Sequence, residues 1–331
     1  METRKVQLTG GSTFTVSLPK EWAMRNGIGA GSTLSFVDNG ETLTVTTRQE
    51  EGRSHGELDI SDLTGDHLTR SVMTMYVSGF DVITLKGDRI SATQRQAIRT
   101  ATQNLIGVEV LEETADRVVI QDLLDSSELS VTNAVERMHL IADSMLADAL
   151  SAVIENNDDL ANDVIERDDD VDRLWLVVSR IFRGTLRSPT ASPDLGISRE
   201  DCFDYHSTAR QLERIGDHAA KISNLSKKLE DIPQPVIESL QTFHEAVVEV
   251  VSGAIEALLE NDSDRSSQLA HQSRAKVLEI DEYTREIDQL LRELDPHEAQ
   301  SLGLIVDSLS RSADYGGNIA ETALQKAAPR P

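Results

Sequence analysis

One stretch constrains this chain more than any other. ARQLERIGDHAAKIS, residues 209–223, returns near the C-terminus as VDSLSRSADYGGNIAE, residues 306–321. Leu212 matches Leu309, Arg214 matches Arg311, Asp217 matches Asp314 and Ile222 matches Ile319, all at one offset. An internal repeat fixes architecture, because each copy must build the same supersecondary unit. Within the first copy, Leu212, Ile215, Ala219, Ile222 and Leu225 recur at steps of three or four, which is one apolar helix stripe. Glu213 and Asp217 sit four apart and are neighbours on that helix's surface.

The units around the repeat are helical too. Val131, Val135, Met138, Ala142, Met145, Ala149 and Val153 make a stripe that Asn156-Asn157-Asp158-Asp159 breaks. A second helix is expected from about Leu160 to Leu186. A loop with two prolines follows at 187–198, and the motif helix then ends near Glu230. Ile232-Pro233-Gln234-Pro235 separates the halves. A fourth helix covers Val236–Glu260, with Leu240, Phe243, Val247, Val250 and Leu258 facing inward. A fifth runs from about Arg265 to Glu293, and a sixth from Asp295-Pro296 to Ala327. The breaks at Asn156 and Asn261 correspond, as do Asp168 and Asp281. The expected fold is mainly α, with tandem three-helix bundles over 128–231 and 234–327, their helices antiparallel.

The front of the chain reads differently. Val6 and Leu8 alternate with polar residues, Gly10-Gly11 turns, and Phe14, Val16 and Leu18 alternate again. Pro19 opens a short helix, Lys20–Asn26, that Gly27 ends. Leu34 and Phe36, then Asn39-Gly40, then Leu43 and Val45 spell a hairpin. A small β domain over 1–48 makes a poor core alone, and oligomerisation is a usual remedy. Residues 48–57 read as a polar linker. Residues 58–124 read as a small α+β module with a connector or dimerisation role. Ser61 or Asp62 would cap a helix to Val77, and a strand would follow at Phe80–Leu85. Ser91–Leu105 would be a second helix, with strands at Gly107–Leu111 and Arg117–Leu123.

Charge separates the same regions. The 331 residues carry a net −25, with 57 acidic against 32 basic side chains, and lysine is scarce beside arginine, as in haloarchaeal proteins. That is the composition of a surface adapted to high salt. Arg4, Lys5, Lys20, Arg25 and Arg48 balance the acids of residues 1–50, so the rest of the chain carries the whole excess. If any part approaches an anion, it is this first segment. The lone cysteine, Cys202, excludes an internal disulfide and fits a reducing compartment. METRKVQLTGG has no apolar signal core, and the strongest apolar run, Leu174–Val178, is far below the ~20 residues of a membrane span. A cytoplasmic chain without membrane insertion is expected.

Two helices of the first half carry paired acids. VIERDDDVD, residues 164–172, puts Asp168 and Asp172 on one face with Glu166 nearby, and the motif helix adds Glu213 and Asp217. If those faces meet, four carboxylates converge, a donor set that suits Mg²⁺, Ca²⁺, iron or manganese. The plain alternative is a solvated acidic face on which Arg214 pairs with the acids. The second half keeps Asp281 and Asp314, but Arg285 stands for Asp172, Ser310 for Glu213 and Asn318 for Lys221. His206, His218 and His271 lack metal-ligand spacing. Gly29 and Gly31 lack the lysine-serine pair of a phosphate loop. No enzyme is expected.

Two resemblances add to this. RKVQLTGGSTFTVSLPKEWAMRNGIGAGSTLSF resembles the AbrB/SpoVT/MazE swapped-hairpin domain, which implies two chains interleaved into one small barrel that binds DNA. Arg4, Lys5, Lys20 and Arg25 are the expected DNA contacts. LERIGDHAAKIS and VIERDDDVDRL resemble the PhoU family of phosphate-uptake regulators over residues 128–326. That resemblance implies metal clusters on the bundle surface. It points to Asp168, Asp172, Glu213 and Asp217, with Asp281, Asp314 and Asn318 as a fainter second set. Together the resemblances imply a homodimeric transcriptional regulator of phosphate uptake. The alternatives are an interaction protein acting on a phosphate ABC transporter ATPase or a sensor kinase, and a carboxylate-metal phosphohydrolase.

Overall fold

The computed structural model describes residues 3–38, 42–47, 53–124, 130–187 and 195–329. It divides into two compact units, Met1–Gly52 and Arg53–Pro331.

In the first unit, β1 (Gln7–Thr9) and β2 (Thr13–Thr15) pair antiparallel. Gly10 and Gly11 turn between them at φ 64° and 82°, a region L side chains avoid. Helix α1 (Lys20–Arg25) follows Pro19. β3 (Leu34–Asp38) and β4 (Leu43–Thr47) then pair from Leu34↔Thr47 to Asp38↔Leu43. The expected Asn39-Gly40 turn lies outside the described residues, as do 48–52 of the expected linker. Among the described residues Val37 is the unit's one buried hydrophobic side chain. Val6, Leu8, Phe14, Val16, Met24, Phe36 and Leu43 are each more than half exposed.

The second unit opens on the α+β module: β5 (His55–Asp59), α2 (Gly65–Val77), β6 (Val82–Lys86), α3 (Ala92–Gln103), β7 (Val108–Glu113) and β8 (Arg117–Asp122). The sheet order is β5-β6-β8-β7, parallel only between β5 and β6. Strand β5 begins inside the stretch read as linker. Its one buried residue is Gly56, where Phe80 would lie 2.8 Å from a Cβ, so a single half-buried apolar side chain, Leu58, marks the strand's inner face. Helix α2 is capped at Thr64, not at Ser61 or Asp62. Ser61 turns back instead, donating its N–H and hydroxyl to Asp59 Oδ1 at 2.9 and 2.7 Å. Ser91 caps α3 in a reciprocal box with Gln94.

The helical region comprises α4 (Val131–Glu155), α5 (Asp158–Arg187), α6 (Arg199–Ser226), α7 (Gln234–Leu259), α8 (Ser263–Val277), α9 (Ile280–Leu291) and α10 (Pro296–Ala327). Asn156 ends α4 in the left-handed region at φ 51°. Residues 188–194 of the expected proline loop lie outside the described residues. The single helix expected over 265–293 is broken at Leu278-Glu279, and Leu278 is 82% exposed. Helices α4, α5 and α6 pack together, as do α7, α8 and α10, with α9 against α7 and α10. The two bundles are not separate beads. The motif helices α6 and α10 lie along one another, α4 touches α7, and one continuous core runs through both halves. Among the described residues no helix is long and apolar enough to cross a membrane.

Two glycines mark close approaches with opposite consequences. A Cβ at Gly316 would lie 2.8 Å from Val250 Cγ1 and 3.2 Å from the Val251 Cα, so α10 seats directly on the α7 backbone. Gly316→Ala is expected to cost about 1–3 kcal/mol through overpacking. A Cβ at Gly216 would meet the movable Asp168 Oδ1 at 3.1 Å. Gly216→Ala also gains helix propensity of about 1 kcal/mol, so its net change should stay within about 1 kcal/mol. Denaturant melts of the two variants side by side check both signs.

Helix α5 also holds the module. Arg180 donates to the carbonyls of Tyr76 (2.5 Å) and Phe80 (3.1 Å) and pairs with Asp81 (2.7 Å) and Asp122 (2.9 Å). Its guanidinium lies 4.8 Å above the Tyr76 ring.

Candidate functional site

The paired acids do come together where α5 and α6 cross. Gly216 lets the backbone of α6 close on α5, and Asp168 occupies the space a side chain would take. Asp168 and Glu213 lie beneath, Glu213 only 8% exposed, while Asp172 and Asp217 form the exposed rim. Asp168 Oδ1 and Glu213 Oε2 are buried and have no hydrogen-bond partner. Such an orphaned acceptor is costly unless something satisfies it.

Burial and mutual repulsion push these acids up together. Asp168 is raised to about 7, first by loss of solvent and then by the charges of Asp217, Asp172 and Glu213. Glu213 is raised to about 7 by burial and Asp217, against the opposing pull of Arg210. Asp172 is raised to about 6 and Asp217 is raised as well, in both cases with desolvation leading. These two stand at the surface, where solvent screens the interaction most.

The arginine that answers the cluster is not the expected one. Arg210 hydrogen-bonds Glu213 Oε1 and stacks 5.4 Å from the Trp175 ring. Arg214 instead lies 5.5 Å above the ring of Tyr315 on α10. The i, i+3 spacing of Arg210 and Glu213 is visible in the sequence and was the available signal. His218 packs against the same Tyr315 ring, and burial lowers its basicity.

The second set is placed otherwise. Asp281 is 79% exposed with Arg285 at 3.9 Å, and Asp314 is 51% exposed with Arg311 at 3.7 Å. Asn318 donates to Gln211 at 3.3 Å. Each acid there has a cation of its own helix, and none shares the burial of Asp168 and Glu213.

As placed, the acids do not close into a ligand shell. Among the described residues no three His, Cys, Asp or Glu side chains are arranged to hold a metal ion. The chemistry of the first set nevertheless fits a hard cation. Four carboxylates share one crossing, two of their oxygens are buried and unpaired, and Arg210, helped by Arg214, offsets part of their charge.

Comparison with known proteins agrees with this architecture. Residues 135–226 match the PhoU domain, and residues 7–52 match the MazE domain described as an antidote-toxin recognition, bacterial antitoxin module. The chain thus carries a PhoU domain behind a MazE-like one. It is 26% identical over 161 residues to the phosphate-specific transport system accessory protein PhoU of Escherichia coli, covering 48% of this chain and 65% of that protein. To the PhoU homolog of Xylella fastidiosa strain 9a5c it is 29% identical over 216 residues, covering 62% and 86%. The crystal structure of PhoU from Pseudomonas aeruginosa superposes with a TM-score of 0.52 at 22% identity, over 60% of this chain and 96% of that one, which shows a common fold.

Proposed function

We propose that this protein is a PhoU-type regulator of phosphate uptake that acts as a homodimer on DNA through its first unit. The observation that carries the DNA half is the composition of that unit. Among the described residues of that unit, seven large apolar side chains stand exposed beside one buried hydrophobic residue, so a second copy is the natural cover. Arg4, Lys5, Lys20 and Arg25 are all exposed there, in the one stretch free of the chain's acidic excess. The phosphate half rests on the PhoU domain and on relatives named for phosphate-specific transport.

Asp168, Asp172, Glu213 and Asp217 would hold a divalent cation or iron in this reading. The cation would supply positive charge that these acids lack. The chain's own contribution is to hold two carboxylates beneath the surface and two at the rim, across two helices that the charge would otherwise push apart. No bond-making step is assigned to the site.

Purified full-length protein should shift promoter DNA of phosphate-uptake genes, with affinity falling steeply as salt rises. Replacing Arg4, Lys5, Lys20 and Arg25 together by alanine should lower that affinity by about 100-fold or more and flatten the salt slope, with melting unchanged. Equal affinity in the quadruple variant would sink the DNA assignment.

The names of the relatives, accessory proteins of a phosphate-specific transport system, favour a second reading in which the bundles act on the transport system without DNA, with its ATPase or a sensor kinase as the proposed partner. Recovery of that ATPase with the full-length chain, and no DNA shift, would select it.

A further inference from the structure

Helices α5 and α6 present a face that continues from the rim of the carboxylate site along both helices. Along α5, Asp168, Asp172, Trp175, Phe182 and Leu186 follow steps of three, four or seven, and α6 answers with Asp217, Glu213, Arg210, His206 and Phe203. The rings form a ladder. Trp175 meets His206 at 4.8 Å, His206 stacks on Phe182 at 4.5 Å, and Phe182 meets Phe203 at 5.9 Å. His206 belongs to the apolar part, because burial, Arg183 and Arg210 push its pKa down to about 4. The module packs on different positions of α5, through Leu176 and Arg180.

The ladder ends in a groove of about 480 Å³ where the apolar Phe182, Leu186 and Phe203 lie beside the charged Arg199, Glu200, Asp204 and Lys326. Leu186 and Phe203 are 60% and 52% exposed there. At its other end lie Asp172 and Asp217, both exposed. One end of the face therefore offers apolar contacts among charges of both signs and the other end is acidic, with Arg210 between.

We propose that this face is the docking site for an amphipathic helix of a protein partner, with large apolar side chains in the Phe182–Leu186–Phe203 groove and lysines or arginines over Asp172 and Asp217. Charge complementarity chooses the occupant. A second copy would bring its own acidic bundle against these acids, since residues beyond the first fifty carry the net −25. From Phe182 to Asp172 is about 15 Å of helix at ~1.5 Å per residue. A bound helix must therefore carry its basic residues about ten positions from its anchors, on the same face. A cation held by the same acids would compete with the partner's basic residues, so the docking is strongest when the acids hold none.

The test is fluorescence anisotropy on the full chain in chelator, with a labelled helical peptide carrying leucines and a tryptophan at one end and lysines about ten residues away. A control peptide replaces the lysines by glutamates. The basic peptide should bind at least about 10-fold tighter than the control. The double variant L186S/F203S, which leaves the net charge untouched and alters two exposed side chains, should lose roughly 30-fold. Unchanged affinity in that variant would overturn the proposal, because it would reduce the binding to general attraction toward an acidic protein. So would equal binding of the two peptides.

Discussion

Arg180→Ala should cost about 3–5 kcal/mol of stability in the second unit, the largest loss expected from any single polar substitution described above. Arg180 is 14% exposed and Asp122 is 7% exposed, so removing the guanidinium strands a buried carboxylate without a cation. Burial already raises the Asp122 pKa, opposed by the Leu124 N–H and then by Arg180. The Phe80 carbonyl loses this donor in the same step, while the Tyr76 carbonyl keeps the Gly79 N–H at 2.8 Å. Arg180→Lys keeps the charge but not the fork, and should recover only part of the loss. Pairing Arg180→Met with Asp122→Asn should recover more, since no buried charge is then left alone. Denaturant unfolding followed by circular dichroism measures all three. A loss below about 1 kcal/mol for Arg180→Ala would mean that the module is held on α5 mainly by apolar packing.

The second large effect is the response of the carboxylate site to pH and to cations. Folded-state pKa values of about 7 for Asp168 and Glu213 lie above their ordinary values of 3.8 and 4.5. The native state therefore binds protons more tightly than the unfolded chain does. Their contribution to stability is fully present below about pH 4 and is lost as pH rises through about 7. In chelator, stability attributable to the cluster should fall across that window by about 1–2 kcal/mol after solvent screening. Asp168→Asn with Glu213→Gln should abolish that part of the slope and stabilise the protein at pH 8. A bound cation acts in the opposite direction. Mn²⁺ or Mg²⁺ at a hundred times its dissociation constant should add about 2.7 kcal/mol at pH 8 in the parent chain and nearly nothing in the double variant. The comparison needs constant ionic strength, because added salt screens an acidic chain in any case. Equal stabilisation of parent and variant would show that the ions act on the general surface.

Much of this architecture could be read from spacing alone. The stripes through Val131–Val153 and Leu212–Leu225 placed α4 and α6, because a long amphipathic helix repeats its signal over several turns. The Asn156 break was equally legible, since asparagine tolerates the left-handed conformation found there. Strand β5 was hidden because one of its two inward positions is Gly56, which leaves Leu58 alone and no alternation to read. The break at Leu278 was hidden for the opposite reason, since the apolar pattern of α9 continues past it. At the site, the convergence of Asp168, Asp172, Glu213 and Asp217 followed from i, i+4 pairs on adjacent helices. Which arginine answers them did not, because that depends on Tyr315 of α10 capturing Arg214 from the other half of the repeat. The repeat itself shows where the two copies diverged. Asp314 stayed while Ser310 took the place of Glu213, and the second copy has exposed acids paired with Arg285 and Arg311 where the first has buried ones.

The stretch ARQLERIGDHAAKIS therefore does two things. It packs the two halves along one another through α6 and α10, and it supplies half of the carboxylate cluster. In the proposed function it belongs to the part that would sense phosphate status, while the first fifty residues would read DNA. Genome-wide occupancy of the full-length chain in cells grown in low and in high phosphate tests that division most directly. The account predicts occupancy at promoters of phosphate-uptake genes that changes with phosphate and is lost when Arg4, Lys5, Lys20 and Arg25 are replaced. Absence of promoter occupancy under both conditions, or occupancy indifferent to those four residues, would contradict it.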